Sequence, residues 1–246
     1  MYAALDAIVE RSRTRLQNEW NHRATHLKSK VRSLLHQRKS AIAELRKSSN
    51  DGLFDEDDFL DELDGLPDVM VDPAPYIEAA KAGQRAVPGY EDRAIDPHAL
   101  GQAHASYRRK YADGVPLRIS GSLAQTLNEA AGETNGYEDV DKLWQIVDDK
   151  IAALASDVTR YADPPWSAGN AGYGNQLGEF DVLMDWTLDD AADHCEDCPE
   201  LADGSPYSVD DIPTWPAQGD TQCLDRCKCM ITADKDSWEK VFGEAA

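Results

Sequence analysis

Five cysteines carry the most specific chemistry in this sequence. Cys195, Cys198, Cys223, Cys227 and Cys229 are all the cysteines of the chain, and they fall within 35 positions near its C-terminal end. Cys195-x-x-Cys198 lets two thiolates reach one ion from a tight turn. After 24 intervening residues, Cys223-x-x-x-Cys227-x-Cys229 supplies more sulfur. A structural zinc ion takes four sulfur or nitrogen ligands in a closed tetrahedron. The five cysteines and the adjoining His194 offer more than four donors, so one or two must stand outside the coordination shell. Cys195, Cys198 and Cys223 are the firmest ligands by spacing. Cys227 and Cys229 compete for the fourth place, because a Cys-x-Cys pair rarely puts both sulfurs on one ion. An odd, clustered set of cysteines also argues against a disulfide framework. Glu10, Arg11 and Arg13 interrupt any apolar stretch of a secretory leader, so no leader is expected.

Other chemistry is sparse. A thiol nucleophile needs a histidine and a group to orient it, and no such constellation stands out. An all-thiolate zinc site leaves no open position for catalysis. His22 and His26 lie one helical turn apart on a polar face, where they read as solvated side chains. The Gly-rich stretch at 166–179 lacks the Lys-Ser/Thr ending of a phosphate-binding loop and is expected to be a flexible connector. No enzyme activity is expected.

The stretch from Phe180 to Ile231 resembles the C-terminal signature of tailed-phage minor head proteins, the head morphogenesis proteins of the Mu-type and portal-associated minor capsid family. The residues that carry the likeness are Trp186, His194-Cys195-x-x-Cys198, Gly204 with Tyr207, Pro213 and Pro216, Gly219-Asp-Thr-x-Cys223, and Cys227-Lys-Cys229. The last element usually reads Cys-Arg-Cys in that family, so Lys228 is a conservative departure. The likeness covers about 50 residues, roughly a fifth of the chain. It implies a low-copy component of the virion head, portal vertex or neck, assembled in the host cytoplasm. The partners implied are portal protein, major capsid protein or both.

Elements that would position the cysteines can be read upstream. Residues 2–48 contain neither Pro nor Gly. Their apolar residues, from Leu5, Val9, Leu16 and Trp20 to Leu27, Val31, Leu34 and Leu35, recur mostly at spacings of 3, 4 or 7. That pattern predicts one long helix, roughly 70 Å if unbroken. Its narrow apolar stripe needs a partner helix, from this chain or from another copy. Residues 51–75 hold ten acidic groups and no basic one, and read as an acidic linker or a short acidic helix, able to fold back on the basic helix. Short helices are expected at Tyr76–Ala82, His98–Tyr111 and Leu123–Ala131, with a strand at Val115–Ser120. The cleanest helix spans 136–161. Tyr137, Val140, Trp144, Val147, Ile151, Leu154, Val158 and Tyr161 alternate steps of 3 and 4, Asn135 and Glu138 approach a capping box, and Pro164-Pro165 ends it. Phe180–Leu188 reads as a strand with Val182, Met184 and Trp186 on one face.

The fold class expected is mainly α, of α+β type. A long basic helical arm (1–50) leads through the acidic linker (51–75) to a helical body (76–179) and a small zinc-stabilised β/loop module (180–246). Charge follows this division. The chain has 25 basic and 46 acidic residues; residues 1–50 hold 11 and 4 of them, a net +7, and the rest a net −28. The arm is the place for a docking contact, with another copy of the chain, with the portal or with packaged DNA. The acidic body would be repelled by phosphates. No segment approaches the roughly 18 apolar residues of a membrane span, so no membrane partner is expected. The competing reading is a zinc-ribbon nucleic-acid-binding regulatory protein. Acidic residues such as Asp189, Asp190, Glu196, Asp197, Glu200 and Asp203 crowd the cysteines, where a DNA-reading finger would carry Arg and Lys.

Overall fold

Freedom from Gly and Pro gives the chain one long first helix, α1, over Tyr2–Gln37 in the computed structural model, and residues 39–48 of the expected helix lie outside the described residues. The structure describes residues 1–38, 52–92, 95–133, 140–190, 192, 194–222 and 227–243. The expected capping residues Asn135 and Glu138, and Tyr137, lie outside the described residues. Two compact units are formed, and each draws on separated stretches of chain. One takes Met1–Thr14, Val71–Arg109 and Arg160–Ala246; the other takes Arg15–Met70 and Lys110–Thr159. These units cut across the four segments suggested by composition. No described helix is long and apolar enough to cross a membrane.

In the second unit the stripe of α1 is covered by this chain. Leu16, Trp20, Leu27, Val31, Leu34 and Leu35 are all buried. The acidic stretch supplies α2 (Asp57–Leu60), a 3-10 turn (Asp61–Leu63) and α3 (Leu66–Met70). Phe54, Phe59, Leu63, Leu66 and Met70 of this stretch are buried, while most of its carboxylates are exposed. Charge fixes the fold-back. Arg38 grips Asp58 through two hydrogen bonds of 2.6 Å, and Arg23 donates to the carbonyl oxygens of Glu62 and Asp64. The Asn128 side chain accepts from the backbone of Leu53 and Phe54 and donates to the Phe54 carbonyl. Helices α6 (Val115–Glu133) and α7 (Val140–Thr159) pack together. The strand expected at Val115–Ser120 is instead the first part of α6. Val115, Ile119, Leu123 and Leu127 recur every four residues and are fully buried, so the longer helical period outweighs six residues of β-type composition.

The first unit is built on α4 (Pro73–Gln84), α5 (Pro97–Ala112) and α8 (Pro165–Gly178). The expected connector at 166–179 is a correction, because it forms the most buried helix of the unit. Its glycines serve close packing rather than flexibility. A methyl group on Gly172 would lie 2.4 Å from the Ala80 carbonyl oxygen, and one on Gly83 would lie 2.1 Å from that of Gly169. Only residues without a Cβ let two backbones approach so closely. Pro165 starts α8 where a missing N–H costs nothing. Beyond it, β1 (Met184–Thr187) pairs antiparallel with β2 (Met230–Ala233), Trp186 facing Ile231. Val182, Met184 and Trp186 are buried on one face, as their alternation predicts. Two short helices complete the unit, α9 (Asp197–Asp203) and α10 (Lys235–Phe242), the latter capped by the Asp234 carboxylate.

Candidate metal centre

Three side chains that could hold a metal ion converge beside the two-stranded sheet. The ligand atoms of His194, Cys198 and Cys229 lie within 4.8 Å of one another. Each arrives on a different element. His194 stands in the loop after β1. Cys198 sits in the first turn of α9 and is fully buried. Cys229 immediately precedes β2 and is also fully buried. Two further thiols adjoin Cys198, with Cys195 Sγ at 3.5 Å and Cys227 Sγ at 3.9 Å. A tetrahedral ion with metal–sulfur bonds of about 2.3 Å has edges of about 3.8 Å between its sulfurs. The Cys195–Cys198 and Cys198–Cys227 separations lie near that edge.

The histidine is oriented for the same purpose. Its Nε2 lies 2.8 Å from the Asp189 carbonyl oxygen, which can only accept, so Nε2 carries the proton. In the neutral ring Nδ1 then holds the lone pair, and it faces Cys229 Sγ at 3.8 Å. A ligating imidazole whose second nitrogen donates to a carbonyl is the usual arrangement at metal sites. The Cys227 thiol is pushed well above its ordinary range, first by its hydrogen bond with Cys229 and then by burial. A metal ion bound there would reverse that balance, because a coordinating thiol is deprotonated.

Cys198 and Cys229 enter the central cluster, whereas Cys195 and Cys227 flank Cys198. Cys223 lies outside the described residues. Its neighbour Gln222 donates its backbone N–H to Asp197, the residue before Cys198. His194, one of the six candidate donors though not ranked by spacing, is a member of the cluster. The signal was its place next to Cys195 in His-Cys-x-x-Cys, but a histidine adjacent to a cysteine points away from it in any extended chain. Only the loop's turn back to Asp189 brings the ring inward.

The chain that follows α9 closes back on β1 and on α9 through Tyr207 and Ser205. Tyr207 pairs with Met184 through two backbone hydrogen bonds of 2.8 Å, covering the outer edge of β1, and its hydroxyl donates to the Leu201 carbonyl of α9. A methyl on Gly204 would come 2.2 Å from that hydroxyl, which explains the glycine. Ser205 Oγ accepts from the Trp186 N–H. Compared with protein-family models, with curated proteins and with solved structures, the chain matches none.

Proposed function

We propose that this chain is an assembly protein of a tailed-phage head, a minor head protein whose C-terminal module is braced by one structural zinc ion. The observation that carries the reading is the cluster itself. Of the residues that carry the head-protein likeness, Trp186, Cys195, Cys198, Tyr207, Cys227 and Cys229 belong to one packed cluster, with His194 beside Cys198 and Cys229. Zinc is the ion this donor set favours, since thiolates and imidazole suit it and magnesium or calcium would demand oxygen. His194, Cys198 and Cys229 would hold it, with a fourth thiolate from the remaining cysteines. Such an ion adds folding free energy to the strands and loops whose side chains it joins. The ion braces this part of the first unit and takes no catalytic role. Contacts with portal or capsid chains would use polar and charged surface, because the stripe of α1 is already covered.

The experiment is affinity isolation of the tagged chain from infected cells, with elemental analysis of the same sample. Portal and capsid chains together with about one zinc per chain support the reading. Zinc without those chains sinks the phage assignment and leaves the module.

One observation favours the zinc-ribbon regulator: the antiparallel pair β1–β2 ends at the cysteine cluster, as a ribbon's hairpin does. Against it stands the charge. The acidic residues remain around the site, and Arg11, Arg13, Arg23, Lys28 and Arg38 of α1 and its end are engaged by carboxylates of this chain. Phosphate binding needs free cations. Retardation of duplex DNA at low salt would favour the regulator over the assembly protein.

A further inference from the structure

A metal module at the end of a chain is expected to be self-contained, yet the strand that presents Cys229 is held from outside it. Antiparallel pairing leaves one edge of β2 facing away from β1, and Ile231 turns its N–H and C=O to that edge. Both groups are taken by residues remote in sequence. The Asn170 side-chain oxygen of α8 accepts from the Ile231 N–H at 2.8 Å. The Tyr2 hydroxyl, in the first turn of α1, donates to the Ile231 carbonyl. Two residues earlier, the Trp166 indole N–H donates to the carbonyl of Cys229 itself at 3.1 Å. The three grips are joined to each other. The Asn170 amide donates to the Trp166 carbonyl at 3.0 Å, and the Tyr2 and Trp166 rings lie 5.6 Å apart. Asn170 is fully buried and Trp166 nearly so.

We infer that Tyr2, Trp166 and Asn170 are positioning residues for the metal centre, so that metal retention at the C-terminal cysteines depends on the docked first turn of the N-terminal helix. The inference rests on the metal reading above. Its physical content is pre-organisation. A thiolate held by a fixed backbone meets the ion without further ordering, and a loosened one must be ordered each time. Loss of partners that orient metal ligands typically costs 10–100-fold in metal affinity. The coupling runs both ways by linkage: a bound ion also stabilises the seating of Tyr2.

The test uses the full-length chain loaded with zinc, and separately with cobalt(II) as a visible probe. Tyr2→Phe removes a single hydrogen-bond donor and keeps the ring; Trp166→Phe removes the indole N–H and leaves a smaller aromatic ring in its place. Each should transfer zinc to a competing chelator about tenfold faster than the parent chain. Trp166→Phe should also shift the cobalt(II) ligand-field bands, which a merely less stable protein with an unchanged site would not do. Asn128→Ala, which breaks hydrogen bonds inside the other unit, serves as the control and should leave both readouts unchanged. Release within twofold of the parent for both variants, or equal acceleration by Asn128→Ala, would overturn the inference. A parent chain that takes up neither metal overturns the metal reading as well, and so tells the two failures apart.

Discussion

Replacing Gly83 by alanine is the sharpest probe of how α8 is held against α4. The added methyl would lie 2.1 Å from the Gly169 carbonyl oxygen and 2.7 Å from the Tyr173 nitrogen, both backbone atoms that no rotamer change can move aside. Reaching tolerable contact requires the helices to part by roughly 1 Å, a gap that forfeits a quarter to a half of each dispersion contact across the interface. Overpacking of this kind costs about 1–3 kcal/mol, and rigid neighbours put it near the top of the range. Alanine recovers at most about 1 kcal/mol through helix propensity. The net loss is about 2 kcal/mol, which lowers a urea midpoint by roughly 1 M. Gly121→Ala in α6 makes the same chemical change where the nearest atom is a Glu56 carboxylate oxygen at 3.7 Å, so it should stabilise by up to about 1 kcal/mol. Urea titration of both variants followed by circular dichroism, with amide exchange of α8 as the local report, decides the matter. A Gly83→Ala protein as stable as its parent would refute the close-packing account of the glycines.

Other consequences follow from particular side chains. His194→Ala and Cys198→Ala should each lower bound zinc well below one per chain by elemental analysis, and retention of full zinc by His194→Ala would remove the imidazole from the ligand set. Leu27 is fully buried in α1, so Leu27→Asp places an unpaired charge in the core and should cost about 4 kcal/mol or more, read as unfolding of the second unit rather than as a docking defect. Burial pushes His104, which is bonded to Ser167, down to about 4. Between the ordinary histidine value and that point the unfolded chain binds the proton and the folded one does not, so stability is full above about pH 6.5 and falls as pH drops toward 4. The loss amounts to at most about 3 kcal/mol. His104→Gln should flatten that part of the pH–stability curve, and an unchanged curve would show that another group governs it.

Much of the architecture was legible from local pattern. The long first helix, the seam of α7 and the alternation around Trp186 are periodicities of neighbouring residues, and such periods survive whatever the chain packs against. The same is true of the metal signal at a coarse level: cysteines gathered at short spacings announce a shared ion. What local pattern could not decide was which surfaces meet. The stripe of α1 would suit a foreign helix as well as its own chain, and only the fold shows Leu27 and Val31 covered by this chain, with Arg38 holding Asp58. The glycines of α8 read as a connector because composition records their freedom but not the helix pressed against them. The ligand set shows the limit most directly. Spacing ranked Cys195 with Cys198 and did not rank His194, yet the inward ring depends on a hydrogen bond to Asp189, and Cys229 depends on a strand paired 45 residues away and gripped by Trp166, Asn170 and Tyr2. Spacing limits how far a side chain can reach, whereas direction is set by contacts between segments distant in sequence, and those exist only once the chain has folded.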